Sequence, residues 1–108
     1  MKVRLENQEI CFRISEEEKA LLLSGSMLYV YLSYGKGALN SQSYTIMVSN
    51  KVDKIKLNII NGVFEIFFPE AYAKAWDDKK VGFEEIISVE DAIELKIIVE
   101  IDLKRRKK

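Results

Sequence analysis

The last ten residues of the chain, VEIDLKRRKK, hold three charged residues at alternating positions. Glu100, Asp102 and Lys104 alternate with apolar residues, so they would share one face of a strand. A catalytic acid–base row, a tail that binds nucleic acid and the polar face of an ordinary strand all fit this spacing. We interpret the segment as a final strand that leaves Glu100 and Asp102 in solvent. The buried residues of that strand would be Val99, Ile101 and Leu103.

Five charged residues are candidates for a pocket that binds a phosphorylated small molecule. They are Arg4, Arg13, Lys36, Glu100 and Asp102. Lys36 lies in the glycine-rich turn Tyr34-Gly35-Lys36-Gly37, whose backbone N–H groups could hold an anion. Alternatively, the cations of the first hairpin pair with nearby carboxylates, and we favour this pairing. The hairpin cations are Lys2, Arg4 and Arg13, and the carboxylates are Glu6, Glu9 and those of the last strand.

Several chemistries are disfavoured by what the sequence lacks. The chain has no histidine and one cysteine, Cys11, so it cannot form a Ser–His or Cys–His pair or an ordinary zinc site. It also has no phosphate loop and no dinucleotide-binding fingerprint. We therefore expect no catalytic residue, no metal and no cofactor.

Composition indicates one small folded domain. The chain has 108 residues, of which 48% are hydrophobic and 31% are charged. We expect one domain over residues 1–103, followed by a basic, disordered tail over residues 104–108. No apolar run approaches the roughly 20 residues of a spanning helix, and the N-terminus lacks the apolar core of a signal peptide. The single cysteine suits a reducing cytoplasm, so we expect a cytoplasmic protein without membrane contact.

The formal net charge of zero hides an asymmetry. Five of the 17 basic residues form the tail, and residues 1–103 hold 12 basic and 17 acidic residues, a balance of −5. Dedicated nucleic-acid binders usually gather cations on a folded face. Nucleic acid is therefore an unlikely partner, and weak binding through the tail is a minor alternative.

The elements that would position these residues are mostly strands. Residues 2–6 and 9–14 alternate in polarity, and a turn at Asn7-Gln8 would place Val3 opposite Phe12 and Leu5 opposite Ile10. Ser15 with Glu18 forms a capping box that begins a short helix, which ends at Gly25. Other predicted strands cover residues 27–33, 44–48, 54–60, 63–68, 81–86 and 94–103, and Pro69 begins a second short helix.

We therefore expect an α+β fold of about eight strands, mainly antiparallel, as a curved sheet, sandwich or barrel, with two short helices. The turn Asn61-Gly62 predicts a hairpin with one core face. That face would contain Ile55, Leu57, Ile59, Phe64, Ile66 and Phe68. Tyr29 and Tyr31 would cover a second small core with the helix of Tyr72 and Trp76, although an exposed pair would indicate a binding surface.

The chain shows two resemblances to known families. The alternating acids and lysine near the end resemble the strands of triphosphate tunnel enzymes, which implies a barrel that holds metal and phosphate. Phrases along the whole chain resemble a family of small, uncharacterised bacterial proteins, which implies no activity. These phrases are residues 1–5 with Asn7, residues 12–15 with Glu18, Tyr34-Gly35, Trp76, residues 81–83 and residues 99–103.

The favoured hypothesis is a small non-enzymatic domain that acts through a protein partner or through self-association. It depends on the missing catalytic residues and on the aromatic residues of the third strand. The alternatives are binding or hydrolysis of a phosphorylated small molecule, and weak nucleic-acid binding.

Overall fold

A computed structural model describes residues 1–36, 41–90 and 92–102. The strands are β1 (Lys2–Glu6), β2 (Glu9–Ile14), β3 (Leu28–Ser33), β4 (Ser41–Ser49), β5 (Lys56–Ile60), β6 (Val63–Pro69), β7 (Gly82–Glu90) and β8 (Ile93–Ile101). The helices are α1 (Glu16–Leu23) and α2 (Glu70–Ala75). The predicted α+β fold with two short helices is confirmed. Leu103, Gly37 and the basic tail lie outside the described residues.

The strands form two four-stranded sheets that do not close into a barrel. Sheet 1 has the order β1-β2-β8-β7, and sheet 2 has the order β3-β4-β6-β5. In each sheet two antiparallel hairpins are joined at the centre by a parallel pair, β2 with β8 and β4 with β6. The mainly antiparallel prediction is confirmed, but the parallel pairs were not foreseen. The barrel implied by the tunnel-enzyme resemblance is not formed by the described strands.

Both predicted hairpin registers are confirmed. Val3 lies opposite Phe12 and Leu5 lies opposite Ile10, so one face of the first hairpin is apolar. The Asn61-Gly62 turn has φ values of 49° and 81°, as a type I′ turn requires. Glycine is needed there for a second reason, because a Cβ at Gly62 would lie 2.7 Å from the backbone oxygen of Ser41.

The core lies between the inner faces of the two sheets. Its fully buried side chains include Phe12 and Ile14 from sheet 1 and Ile46, Ile66 and Phe68 from sheet 2. Burying each such side chain is worth roughly 1.5–3 kcal/mol. α1 begins with the predicted capping box of Ser15 and Glu18 and adds Leu22 to this core.

Three burial predictions are wrong. Tyr29 and Tyr31 are 66% and 61% exposed, because α2 packs against β4 and β6 and not against the outer face of β3. Ile59 is 44% exposed, because it lies beside the turn at the end of its hairpin. Asp102 is buried, with 5% exposure. Its backbone N–H donates a hydrogen bond to the carbonyl of Ile14, and the Lys2 side chain lies 3.3 Å from its carboxylate.

An aromatic cluster joins α2 to both sheets. Phe68 of sheet 2 and Phe83 of sheet 1 lie 5.3 Å apart between ring centroids. Tyr72 stacks on Phe83 at 4.9 Å, and Trp76 packs edge-on against the same ring at 5.4 Å. The buried Lys19 of α1 lies over the Trp76 ring at 5.0 Å and donates to the carbonyl of Asp77. Both helices are thereby fixed at one end of the sandwich.

Glu85 of β7 adds a polar link between the sheets. Its carboxylate accepts a hydrogen bond of 2.7 Å from the Tyr72 hydroxyl and one of 3.3 Å from the backbone N–H of Ile55. The hydrogen bond to Glu85, together with burial, raises the pKa of Tyr72 to about 12. The folded state therefore favours the neutral tyrosine.

This link predicts a pH-dependent effect of Tyr72→Phe. At neutral pH the variant should lose roughly 1–2 kcal/mol of unfolding free energy, because Glu85 loses a hydrogen bond. The unfolded tyrosine ionises near pH 10 and the folded one near pH 12, so this contribution is present below pH 10 and is lost as pH rises to 12. Urea unfolding at pH 7 and pH 11.5 should show the difference between wild type and variant shrinking. A constant difference would contradict the assignment.

Candidate functional site

The outer face of sheet 1, here called the charged face, pairs its cations with carboxylates. Arg13 lies 3.0 Å from Glu100, Arg4 lies 3.8 Å from Glu9, and Lys96 lies 3.8 Å from Glu84. Lys2 reaches Asp102 across the end of the sheet. The favoured prediction that the hairpin cations pair with carboxylates is confirmed.

Cys11 lies on the charged face beside the Arg13–Glu100 pair. Its sulfur lies 3.6 Å from the Glu100 carboxylate, and its side chain is 1% exposed. Burial raises the pKa of the Cys11 thiol, and the charge of Glu100 raises it further. A buried, protonated thiol is a poor nucleophile, so this cluster stabilises the sheet and offers little reactivity.

Glu100 is accessible from one side because β7 presents glycine next to it. Gly82 pairs with Glu100 across the β7–β8 ladder. A Cβ at Gly82 would overlap the backbone oxygen of Val99 and would lie 2.7 Å from the Glu100 Cβ. The close approach of the two strands therefore requires glycine at this position.

Four of the five predicted ligand residues lie on or beside sheet 1, but they do not converge in one pocket, and Lys36 lies apart from them. Arg13 and Asp102 line a shallow depression of about 250 Å³ with Lys2 and Glu17. Glu100 borders a separate depression beside Gly82. Arg4 is one row away on the charged face, and Lys36 follows β3 in sheet 2.

Residues 1–36, 41–90 and 92–102 contain neither a metal-binding cluster nor a membrane-spanning helix. No group of three or more cysteine, aspartate or glutamate side chains in these ranges could hold a metal ion. No helix in them is both long enough and apolar enough to cross a membrane.

A second surface, the tyrosine edge, lies along β3 at the border of sheet 2. It is defined by five side chains that each expose more than half of their surface. They are Met27, Tyr29, Tyr31, Leu32 and Tyr34. Among the described strands β3 is hydrogen-bonded only to β4, so its other side presents unpaired backbone groups.

The other three edge strands carry charges that β3 lacks. β1 contains Lys2, Arg4 and Glu6, and β5 contains Lys56. β7 contains acidic residues and an irregular register between Ser88 and Glu90. Charges and bulges on edge strands oppose pairing with another chain. β3, with the sequence LYVYLS, has neither.

Sequence reasoning found the aromatic residues of this edge but placed them in the core. The informative signal was the absence of charge on both faces of β3. In an edge strand that absence is unusual, but the sequence does not reveal which strands lie at edges.

Comparison with known proteins places the chain in a family. The model of a family of unknown function, DUF7009, matches residues 1–107. The chain belongs to this family. The match confirms the predicted resemblance to an uncharacterised family, and DUF7009 brings no activity or site residue with it. Neither the curated proteins nor the solved structures contain a match to the chain.

The pairing on the charged face predicts weak binding of polyphosphate. An anion at Arg13 has to displace the Glu100 carboxylate, so tripolyphosphate should leave the melting temperature of the wild type unchanged at moderate ionic strength. Glu100→Gln releases Arg13 and should give the larger shift of the two proteins. Differential scanning fluorimetry measures the melting temperatures of both proteins, and sodium chloride at the same ionic strength serves as the control. A clear wild-type shift that Glu100→Gln does not increase would contradict this prediction.

Proposed function

We propose that the chain is a non-enzymatic domain that binds a polypeptide by adding a strand to sheet 2 at β3. The observation that carries the proposal is the tyrosine edge, an uncharged edge strand flanked by exposed aromatic side chains. In strand addition, backbone hydrogen bonds supply affinity and alternate side chains supply specificity. β3 offers both.

The outer face of sheet 2 carries further exposed apolar side chains on the two strands farthest from this edge, β6 and β5. The register places Tyr31 in one row with Ser43, Val63 and Ile60 across the four strands. Ile60 is 54% exposed, and Val63 is half-buried. Ser43 separates Tyr31 from Val63 in this row, and the next row joins Tyr29 to Thr45, Glu65 and Asn58, so the exposed aromatic surface is confined to the tyrosine edge.

The phosphorylated-ligand alternative has weaker support. Arg4 and Arg13 each lie against a carboxylate, so an anion would meet neutralised cations. The nucleic-acid alternative depends on a tail that lies outside the described residues.

Cys11 is a free, buried thiol, and we propose that the protein acts in a reducing bacterial cytoplasm.

Site-specific photo-crosslinking tests the proposal. A benzophenone amino acid replaces Tyr29 in the full chain, and the matched control replaces the exposed Glu84 of the charged face. Irradiation of producing cells should give a discrete polypeptide adduct at position 29 and little or none at position 84. Both positions are exposed, so the two variants should fold equally well.

Two results would overturn the proposal. One is the absence of any adduct at position 29. The other is an equal yield at positions 29 and 84, which would indicate random collision. The mass of the adduct also separates self-association from binding to another protein.

A further inference from the structure

The sequence of β3 reads the same in both directions. Leu28-Tyr29-Val30-Tyr31-Leu32 is a palindrome centred on Val30. When two copies of such a strand pair antiparallel about a two-fold axis at Val30, each residue lies opposite one of its own type. Leucine meets leucine, tyrosine meets tyrosine, and Val30 meets its own copy.

This register is also compatible with the faces of the sheet. Cα partners in an antiparallel ladder place their side chains on the same face. Tyr29 and Tyr31 both lie on the outer face of sheet 2, opposite to the buried Leu28. When Tyr29 pairs with Tyr31 of a second copy, the outer faces of the two copies of sheet 2 therefore lie on the same side, and the sheet continues from one copy into the other.

We infer that the polypeptide bound at β3 is a second copy of this chain, paired antiparallel and centred on Val30. This inference rests on the proposed function and names its partner. The product is a two-fold dimer in which the two copies of sheet 2 form one eight-stranded sheet. Such an interface is isologous, so the same surface serves both copies.

The exposed tyrosines along β3 set an upper limit on the side-chain area that they can bury in the pair. Tyr29, Tyr31 and Tyr34 are 66%, 61% and 60% exposed. At roughly 150–250 Å² for each complete tyrosine, they offer on the order of 300–450 Å² in each copy. Met27, Leu32 and the backbone edge add to this value, and the smallest stable interfaces bury about 600 Å² in each partner.

Charge favours β3 over β1 as the self-pairing edge. A β1 pair centred on its middle residue would place Arg4 opposite Arg4 of the second copy. Like charges directly opposite each other destabilise a strand pair. The β3 pair has no charged residue and therefore no such repulsion.

A charge-pattern experiment tests both the partner and the register. In the Val30-centred pair, position 29 of one copy faces position 31 of the other. Y29K/Y31K places lysine opposite lysine twice, whereas Y29K/Y31E places lysine opposite glutamate twice. Both double variants change the same two exposed positions, so they serve as matched controls for each other.

Sedimentation equilibrium of the full chain at low ionic strength measures the outcome. The wild type should be a dimer with a micromolar dissociation constant. Y29K/Y31K should associate at least ten-fold more weakly than Y29K/Y31E. Circular dichroism verifies that each variant is folded, and the mass of the wild type shows whether the chain dimerises at all.

Three results would overturn the inference: a wild type that stays monomeric up to its solubility limit, a dimer that Y29K/Y31K leaves intact, or equal weakening by both variants. A monomeric wild type whose position 29 crosslinks to a different polypeptide would overturn the inference and leave the proposed function standing. A monomer without that crosslink would overturn both.

Discussion

Each sheet depends on one parallel pair of strands at its centre, β2 with β8 in sheet 1 and β4 with β6 in sheet 2. Each pair joins two hairpins into one sheet and places the second strand of each hairpin at the centre. The first strand of each hairpin, β1, β3, β5 or β7, is thereby left at an edge. Edge position, and not local sequence, then determines which backbone groups are available to another chain.

Side-chain alternation assigns different properties to the two outer faces. On sheet 1 the outward residues are largely charged and neutralise one another, as Arg13 and Glu100 do. On sheet 2 the outward side chains of β3 include Tyr29 and Tyr31, which are mostly exposed among the described residues. The first face contributes ion pairs between neighbouring strands, and the second provides the surface on which association is proposed.

Much of the local structure could be predicted from the sequence, because short-range physics determines it. The period-two alternation of residues 9–14, the capping box of Ser15 and the Asn61-Gly62 turn each require only neighbouring residues. The parallel pairs could not be predicted, because they join strands far apart in the chain. Without them the exposure of Tyr29 and the burial of Asp102 could not be derived either, since both depend on which strand lies alongside.

Disulfide trapping at the proposed two-fold axis is the sharpest test of self-association through β3. Residues paired across an antiparallel ladder have Cα atoms roughly 4.5–5.5 Å apart, a separation that a disulfide can bridge. Val30→Cys should therefore give a covalent dimer under mild oxidation, while Asn58→Cys on the exposed edge β5 should not, and the native Cys11 is buried. A Val30→Cys protein that remains monomeric, or crosslinks no faster than Asn58→Cys, would contradict pairing at this strand.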